Sequence, residues 1–263
     1  MSVRVYREHP WYRPHLTAAI EVLDKLELTL LYMEIFQTLF EDPNILVINK
    51  PAGLAVETGT GVRDQTLEDL LKESGYGGLA RSGIVHRLDR DTTGVMVIAK
   101  NEKSYVALKS QFADRDPEKI YYAIACGDLV PREGTIHIAL KRDERNRVRF
   151  VPSQMQDSKD AITHYVVEKS GKINDYDLVF VKIRLETGRT HQIRAHFLAI
   201  GHPLLGDQVY WNQQSKMISD TLDIKRQMLH ASTLTLKHPT TGKKMTFEAP
   251  LPEDIINIMK RLK

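Results

Sequence analysis

HRLDRDTTGVMVIAKNEKSYVALKSQFADRDPEKIYYAIAC, residues 86–126, sets the pattern of the chain: strand, helix, strand. VMVIA is an apolar run of strand length, and Gly94 ahead of it suits a tight turn. Asn101 is a good N-cap for a helix through about Phe112, with Glu102 in the first turn and Asp116-Pro117 as the stop. KIYYAIAC alternates as a strand, with Ile120, Tyr122 and Ile124 on one face and Tyr121, Ala123 and Ala125 on the other. Asp89 stands among Arg87, Arg90, Thr92 and Thr93, where an apolar strand ends in a polar loop. On extended backbone Arg87 and Asp89 point one way, His86 and Leu88 the other. A rigid element passing into a loop is a common place for chemistry, because it holds the reacting group and exposes it. The same residues also fit a structural ion pair at a strand end.

Working outward, EDPN (residues 41–44) is turn chemistry before ILVINK, a continuous apolar strand that suits burial on both faces. Thr66 fits the N-cap of a helix over Gln65–Glu73, and Leu16–Leu31 could open with a short helix from Thr17. Downstream, strands are expected at 134–140, 148–152, 161–169 and 177–185. Thr190 suits the cap of a helix to Ile200, closed by Gly201 and followed by Pro203. The end reads as a hairpin turning at Thr240-Thr241-Gly242, then a helix from about Glu253. Strands outnumber helices, and helices interrupt them irregularly. That pattern predicts an α+β fold with a mainly antiparallel or mixed sheet, not repeating βαβ units.

The 263 residues suffice for one large domain or two small ones. No apolar run is long enough to span a membrane, and MSVRVYREHPWYRPHL lacks a signal-peptide core. Cys126 is the only cysteine, so no intrachain disulfide forms; this suits a reducing, cytoplasmic setting. Net charge is only +3, but KRDERNRVRF (residues 141–150) carries five cations and two anions. Arg145, Arg147 and Arg149 alternate. On a strand they would line one face, either along a phosphate backbone or as the charged guard of an edge strand. The ten histidines invite a metal-site reading. Against it, HExxH is absent and one cysteine excludes a multi-cysteine site. His191 and His196 are five apart and leave a shared helix face, and His202, His230 and His238 flank prolines or strand ends. No metal is expected.

LFEDPNILVINKPAGLAVE (39–57), HRLDRDTTGVMVIAK (86–100), KIYYAIACG (119–127), LETGRTHQIRAHFLAIGHPLLGDQVY (185–210) and LHASTLTLKHPTTGKKMTFEAPLPED (229–254) follow one another in this order. Together they resemble the RluA-type family of pseudouridine synthases, over roughly residues 34–263. The resemblance implies a long, bent, mixed sheet with flanking helices and a central RNA-binding cleft. It implies a catalytic domain over 34–263 behind an extension at 1–33. Many relatives carry a small N-terminal RNA-binding domain, for which the short first segment offers no clear counterpart. The partner implied is RNA, ribosomal or transfer, with DTTG closer to members acting on large-subunit ribosomal RNA. A monomer is expected.

The reaction so implied breaks the bond from ribose C1′ to uracil N1 and rejoins the base through C5. No atom is gained or lost, so no redox cofactor or group donor is required, and none is expected. Asp89 matches the family's catalytic aspartate; it would attack C1′ or take a proton from C2′. Arg194 matches the arginine paired with it, which opposes the drift of a desolvated carboxylate towards its neutral form. Ile193, Phe197 and Ile200 form the apolar side of that helix, with Thr190, Arg194 and Leu198 along another line. Tyr121 matches the active-site tyrosine, able to stack on uracil or to help move the C5 proton. Arg87, Arg90, Arg145, Arg147, Arg149, Arg189 and His191 are the expected RNA contacts. Two rivals share these features: an N-glycosidase hydrolysing the same bond, and a non-catalytic RNA-binding or ribosome-assembly factor on the same fold.

Overall fold

A computed structural model of the chain describes residues 36–59, 64–76 and 78–263. The helix expected from Thr17 and the extension at 1–33 lie outside them. Strands β1 (Gln37–Glu41) and β2 (Ile45–Lys50) form a hairpin at EDPN. Its turn is held by the Asp42 carboxylate, which accepts from the backbone N–H of Asn44 at 2.7 Å and of Ile45 at 2.8 Å. Thr66 caps α1 (Leu67–Leu71), and Asp69 reciprocates in a capping box. Then come β3 (Thr93–Ala99), α2 (Glu102–Ala113) capped by Asn101, and β4 (Glu118–Cys126). Helix α2 ends before Asp116-Pro117, because Arg115 already takes a left-handed conformation at φ 62°.

The stretch expected as one strand over 134–140 divides. Strand β5 (Glu133–His137) joins the main sheet, while β6 (Leu140–Arg142) pairs with β7 (Phe150–Pro152) in a separate ribbon. After β8 (Ile162–Ile173) and β9 (Tyr176–Leu185) come α3 (Gln192–Ala199) and α4 (Gln213–Thr221). The chain closes with β10 (Leu229–Lys237), β11 (Lys244–Glu248) and α5 (Glu253–Arg261). Among the described residues the main sheet has nine strands, in the order β1-β2-β3-β10-β4-β9-β8-β5, with β11 also on β10. Every pairing in it is antiparallel except β3 with β10, which makes the sheet mixed and mainly antiparallel, as expected.

That parallel junction corrects the reading of Gly94. It lies inside β3 and makes no turn. Its φ is +121°, and a Cβ there would stand 2.1 Å from the Ala231 carbonyl oxygen. The missing side chain lets β3 touch β10 at His230 and Ala231, before β11 takes over that edge at Thr233.

The alternation along β4 holds and sorts the helices. On one face Ala123 and Ala125 pack with Val181 and Ile183 against Ile193 and Phe197 of α3. On the other, Ile124 and Cys126 pack with Phe180, Ile218 of α4, and Ile255 and Ile258 of α5. Helix α3 is thereby placed on the face that carries Tyr121. No helix among the described residues is long and apolar enough to cross a membrane.

Candidate active site

Asp89 lies on a loop between an isolated bridge at Ile84 and the start of β3, not at the end of a strand. Side-chain contacts, rather than strand pairing, fix this loop. Leu88 is buried, and His86 stacks on Phe112 while its Nε2 accepts from the Val97 N–H at 3.0 Å. From beneath, fully buried Lys50 donates to three carbonyls: Pro51 at 2.7 Å, Leu54 at 2.9 Å and Arg90 at 2.8 Å. Burial pushes the Lys50 ammonium down to about 7, against the pull of Asp91 and Asp89. A lysine at the end of an apolar strand was visible in ILVINK; nothing in the sequence says where its amine points.

Arg194 comes from α3. The cap expected from Thr190 is not made, because His191 occupies the N-cap position in a left-handed conformation, φ 56° and ψ 20°. Gln192 satisfies the loop instead. Its Oε1 accepts from the Thr187 hydroxyl and the Arg189 N–H, and its Nε2 donates to the Ile162 carbonyl. A non-glycine residue held at positive φ costs free energy, and such strain collects at functional sites. Here it carries His191 Nε2 to 3.7 Å from Asp89 Oδ1.

Arg194 is nearly enclosed between two carboxylates. Its Nη1 donates to Asp89 Oδ2 at 2.9 Å, while Nε and Nη2 grip Asp207 at 2.6 and 2.8 Å. Burial raises the pKa of Asp89, but the charges of His191, Arg194 and Arg87 and the Arg194 hydrogen bond outweigh it, so the net shift is down. Of these, Arg194 acts at every pH. His191 acts only when protonated, and its own pKa is lowered by burial. Asp89 is thus an ionised carboxylate at neutral pH, 17% exposed. Tyr121, whose phenol is pushed up by burial and by Asp89, stays protonated.

Asp89, Tyr121, Arg194, Arg87, Arg189 and His191 line one open pocket with Leu185 and Leu229. Six of the ten residues singled out in the sequence therefore meet. Arg90 turns away, donating to the Gly53 carbonyl and to Asp64. The Arg145–Arg149 stripe is a correction. These residues occupy the turn between β6 and β7, where no strand exists to line them up. Arg145 and Arg147 are exposed, while Arg149 is drawn in over the Tyr210 ring at 5.3 Å. Asp207, Tyr210 and the loop-holding Gln192 went unremarked in the sequence. Gly206-Asp207 at a turn was the available signal.

A family model described as RNA pseudouridylate synthase matches residues 44–199. The chain belongs to that family. A ribosomal large subunit pseudouridine synthase D of Zymomonas mobilis is 39% identical over 234 residues, covering 86% of this chain and 72% of that protein. A Bacillus subtilis protein described as an uncharacterized RNA pseudouridine synthase is 38% identical over 229 residues, covering 85% and 72%. Among solved structures, human RNA pseudouridylate synthase domain containing 4 superposes with a TM-score of 0.68 at 25% identity, covering 90% of this chain and 96% of that one. The RluA-type resemblance read from the motifs is the family these comparisons find, and the protein is an RNA-modifying isomerase.

Proposed function

We propose that this pseudouridine synthase isomerises a uridine of structured RNA with Asp89 as the reacting carboxylate, large-subunit ribosomal RNA being the favoured substrate. The observation that carries the reading is an ionised Asp89 held by Arg194 in a pocket shared with Tyr121. The flipped uridine enters this pocket, at a cost of roughly a few kcal/mol that is least in a loop or bulge. Asp89 then attacks C1′ or removes the C2′ proton, and the C1′–N1 bond breaks. Uracil turns, and C5 bonds to C1′ as the Asp89–C1′ bond breaks or, on the second route, as Asp89 returns its proton to C2′; N1 takes up a proton and the C5 proton leaves. Tyr121 stacks on the base, and its protonated hydroxyl relays that proton. Arg87, Arg189 and His191 face the nucleotide from the rim, and Arg145 and Arg147 take phosphates outside it. The preference for ribosomal RNA is supported by the large-subunit enzymes among the relatives. The catalytic domain is assigned to residues 34–263, acting as a cytoplasmic monomer without a cofactor.

Pseudouridine mapping of total RNA from cells with and without the active protein tests the reading. The expected result is the loss of one or a few sites in large-subunit ribosomal RNA. Loss confined to transfer RNA would move the substrate. Release of free uracil at unchanged site occupancy would make the protein an N-glycosidase.

A further inference from the structure

We infer that Asp207 is a positioning residue for this site: it holds Arg194 so that only one edge of the guanidinium reaches Asp89, leaving one oxygen of Asp89 free to react. The inference rests on the reading of Asp89 given above. The Asp207 side chain is fully buried, and both its oxygens are committed. Oδ2 accepts from Arg194 Nε at 2.6 Å; Oδ1 accepts from Arg194 Nη2 and from the backbone N–H of Val209 and Tyr210, each at 2.8 Å. Four hydrogen bonds lock this carboxylate, and its grip on the fork fixes the guanidinium plane.

The consequence falls on Asp89. An arginine fork facing a carboxylate alone tends to bind it through both oxygens. Here the two-bond grip is spent on Asp207, and Asp89 receives a single bond on Oδ2. Among the described residues Oδ1 of Asp89 accepts no hydrogen bond; His191 Nε2 stands 3.7 Å from it. Asp207 also shapes that neighbour. The turn it holds carries Tyr210, whose hydroxyl accepts from the Phe150 N–H at 2.6 Å and lies 3.1 Å from His191 Nδ1. Burial pushes the Tyr210 phenol up to about 12, so it stays protonated beside Nδ1. That leaves the Nε2 side of His191 towards Asp89. In charge, Asp207 balances Arg194, so that Arg194 keeps Asp89 ionised without burying it in a two-bond ion pair.

The test is single-turnover kinetics at saturating enzyme beside an RNA-binding isotherm, on Asp207→Asn, Arg194→Lys and the double variant. Asp207→Asn keeps the shape and the bonds to Val209 and Tyr210 but sets an amide against Arg194. Its saturated rate is expected to fall by roughly a hundredfold, the scale of a misplacement of about 1 Å, with RNA affinity intact. In the Arg194→Lys background, where the fork is already gone, the same change costs little more. A folded Asp207→Asn protein with the wild-type saturated rate, or losses that simply multiply in the double variant, overturns the inference. If Asp207→Asn does not fold, Asp207→Glu replaces it. Glutamate keeps the charge and shifts the grip by one methylene, so the rate falls at intact affinity; a wild-type rate there also overturns the inference. Asp89→Asn is run alongside. Turnover by that variant overturns the Asp89 reading beneath, whereas an inert Asp89→Asn with a normal Asp207→Asn overturns the Asp207 inference alone.

Discussion

Arg194 Nη1 donates to Asp89 Oδ2 at 2.9 Å across 105 residues of sequence. The bond joins a loop ahead of β3 to a helix after β9, and the chain positions both partners by burying what surrounds them. Leu88 and Lys50 hold one side; Ile193 and Phe197 hold the other. Its first consequence concerns Asp89 itself. Asp89→Asn keeps the shape and removes the charge. RNA is expected to bind as before, while tritium release from 5-tritiated uridine falls to background. Substantial release by the variant would remove Asp89 from the reaction.

The arginines of the β6–β7 turn divide in the structure, and so does their expected effect. Arg145 and Arg147 are exposed, so their joint replacement by alanine weakens RNA binding and flattens the slope of log affinity against log salt by about one unit per lost phosphate contact. The saturated rate holds. Arg149 lies over the Tyr210 ring, beside the contact of Tyr210 with His191. Arg149→Ala is therefore expected to lower the saturated rate as well. Equal behaviour of all three would mean that the turn only binds.

Gly94 fixes the junction of β3 and β10. Gly94→Ala demands a Cβ 2.1 Å from a backbone oxygen at φ +121°, and neither strand can withdraw without losing its ladder. A destabilisation of at least about 3 kcal/mol is expected by denaturant unfolding, among the largest single-residue effects. A loss under about 1 kcal/mol would show that the sheet gives at this point.

Acid should weaken the fold through His86. Burial lowers its pKa from 6.5 to about 3, and its Nε2 must stay unprotonated to accept from Val97. The unfolded chain binds this proton between those two values while the native protein does not. The contribution is therefore complete above pH 6.5 and is lost as pH falls towards about 3. At most one proton, or about 1.4 kcal/mol per pH unit, is at stake in the slope. His86→Gln supplies an acceptor that does not titrate, so its stability curve is flatter below pH 6.5. An unchanged slope would place the acid sensitivity elsewhere; His196 and His230 are lowered in the same direction.

Most elements were legible because their signals are local. Asn101 and Thr66 cap as written, Asp42 turns the first hairpin, and the alternation of β4 survives folding. What failed were readings that needed a partner. Gly94 resembles a turn glycine until β10 stands beside it. Thr190 resembles a cap until Gln192, reaching Thr187, supplies the loop's hydrogen bonds. Arg145, Arg147 and Arg149 alternate in sequence, but they fall in a turn, and among the described residues no second strand pairs with them. In the site, Asp89, Tyr121 and Arg194 were found through motif resemblance. Asp207 was missed because a buried carboxylate and an exposed turn aspartate look alike until the arginine arrives.

The last prediction separates chemistry from binding at Arg194. Lysine keeps the charge but has no planar fork, so it cannot grip Asp207 with two bonds and still present a third donor to Asp89. Three bonds depend on that geometry in the native site. If Arg194 orients Asp89, Arg194→Lys lowers the saturated single-turnover rate by about a hundredfold and leaves RNA affinity nearly unchanged. The enclosed position sharpens the expectation, because a side chain only 6% exposed has little surface to offer a phosphate. Stability should fall too, since Asp207 keeps its charge in a buried place with a poorer partner; breaking such a pair outright costs about 3–5 kcal/mol. A variant that folds, binds RNA weakly and turns over at the normal saturated rate would make Arg194 an RNA-binding residue. Control of the Asp89 charge would then pass to Arg87, which lines the same pocket and whose charge also lowers the Asp89 pKa.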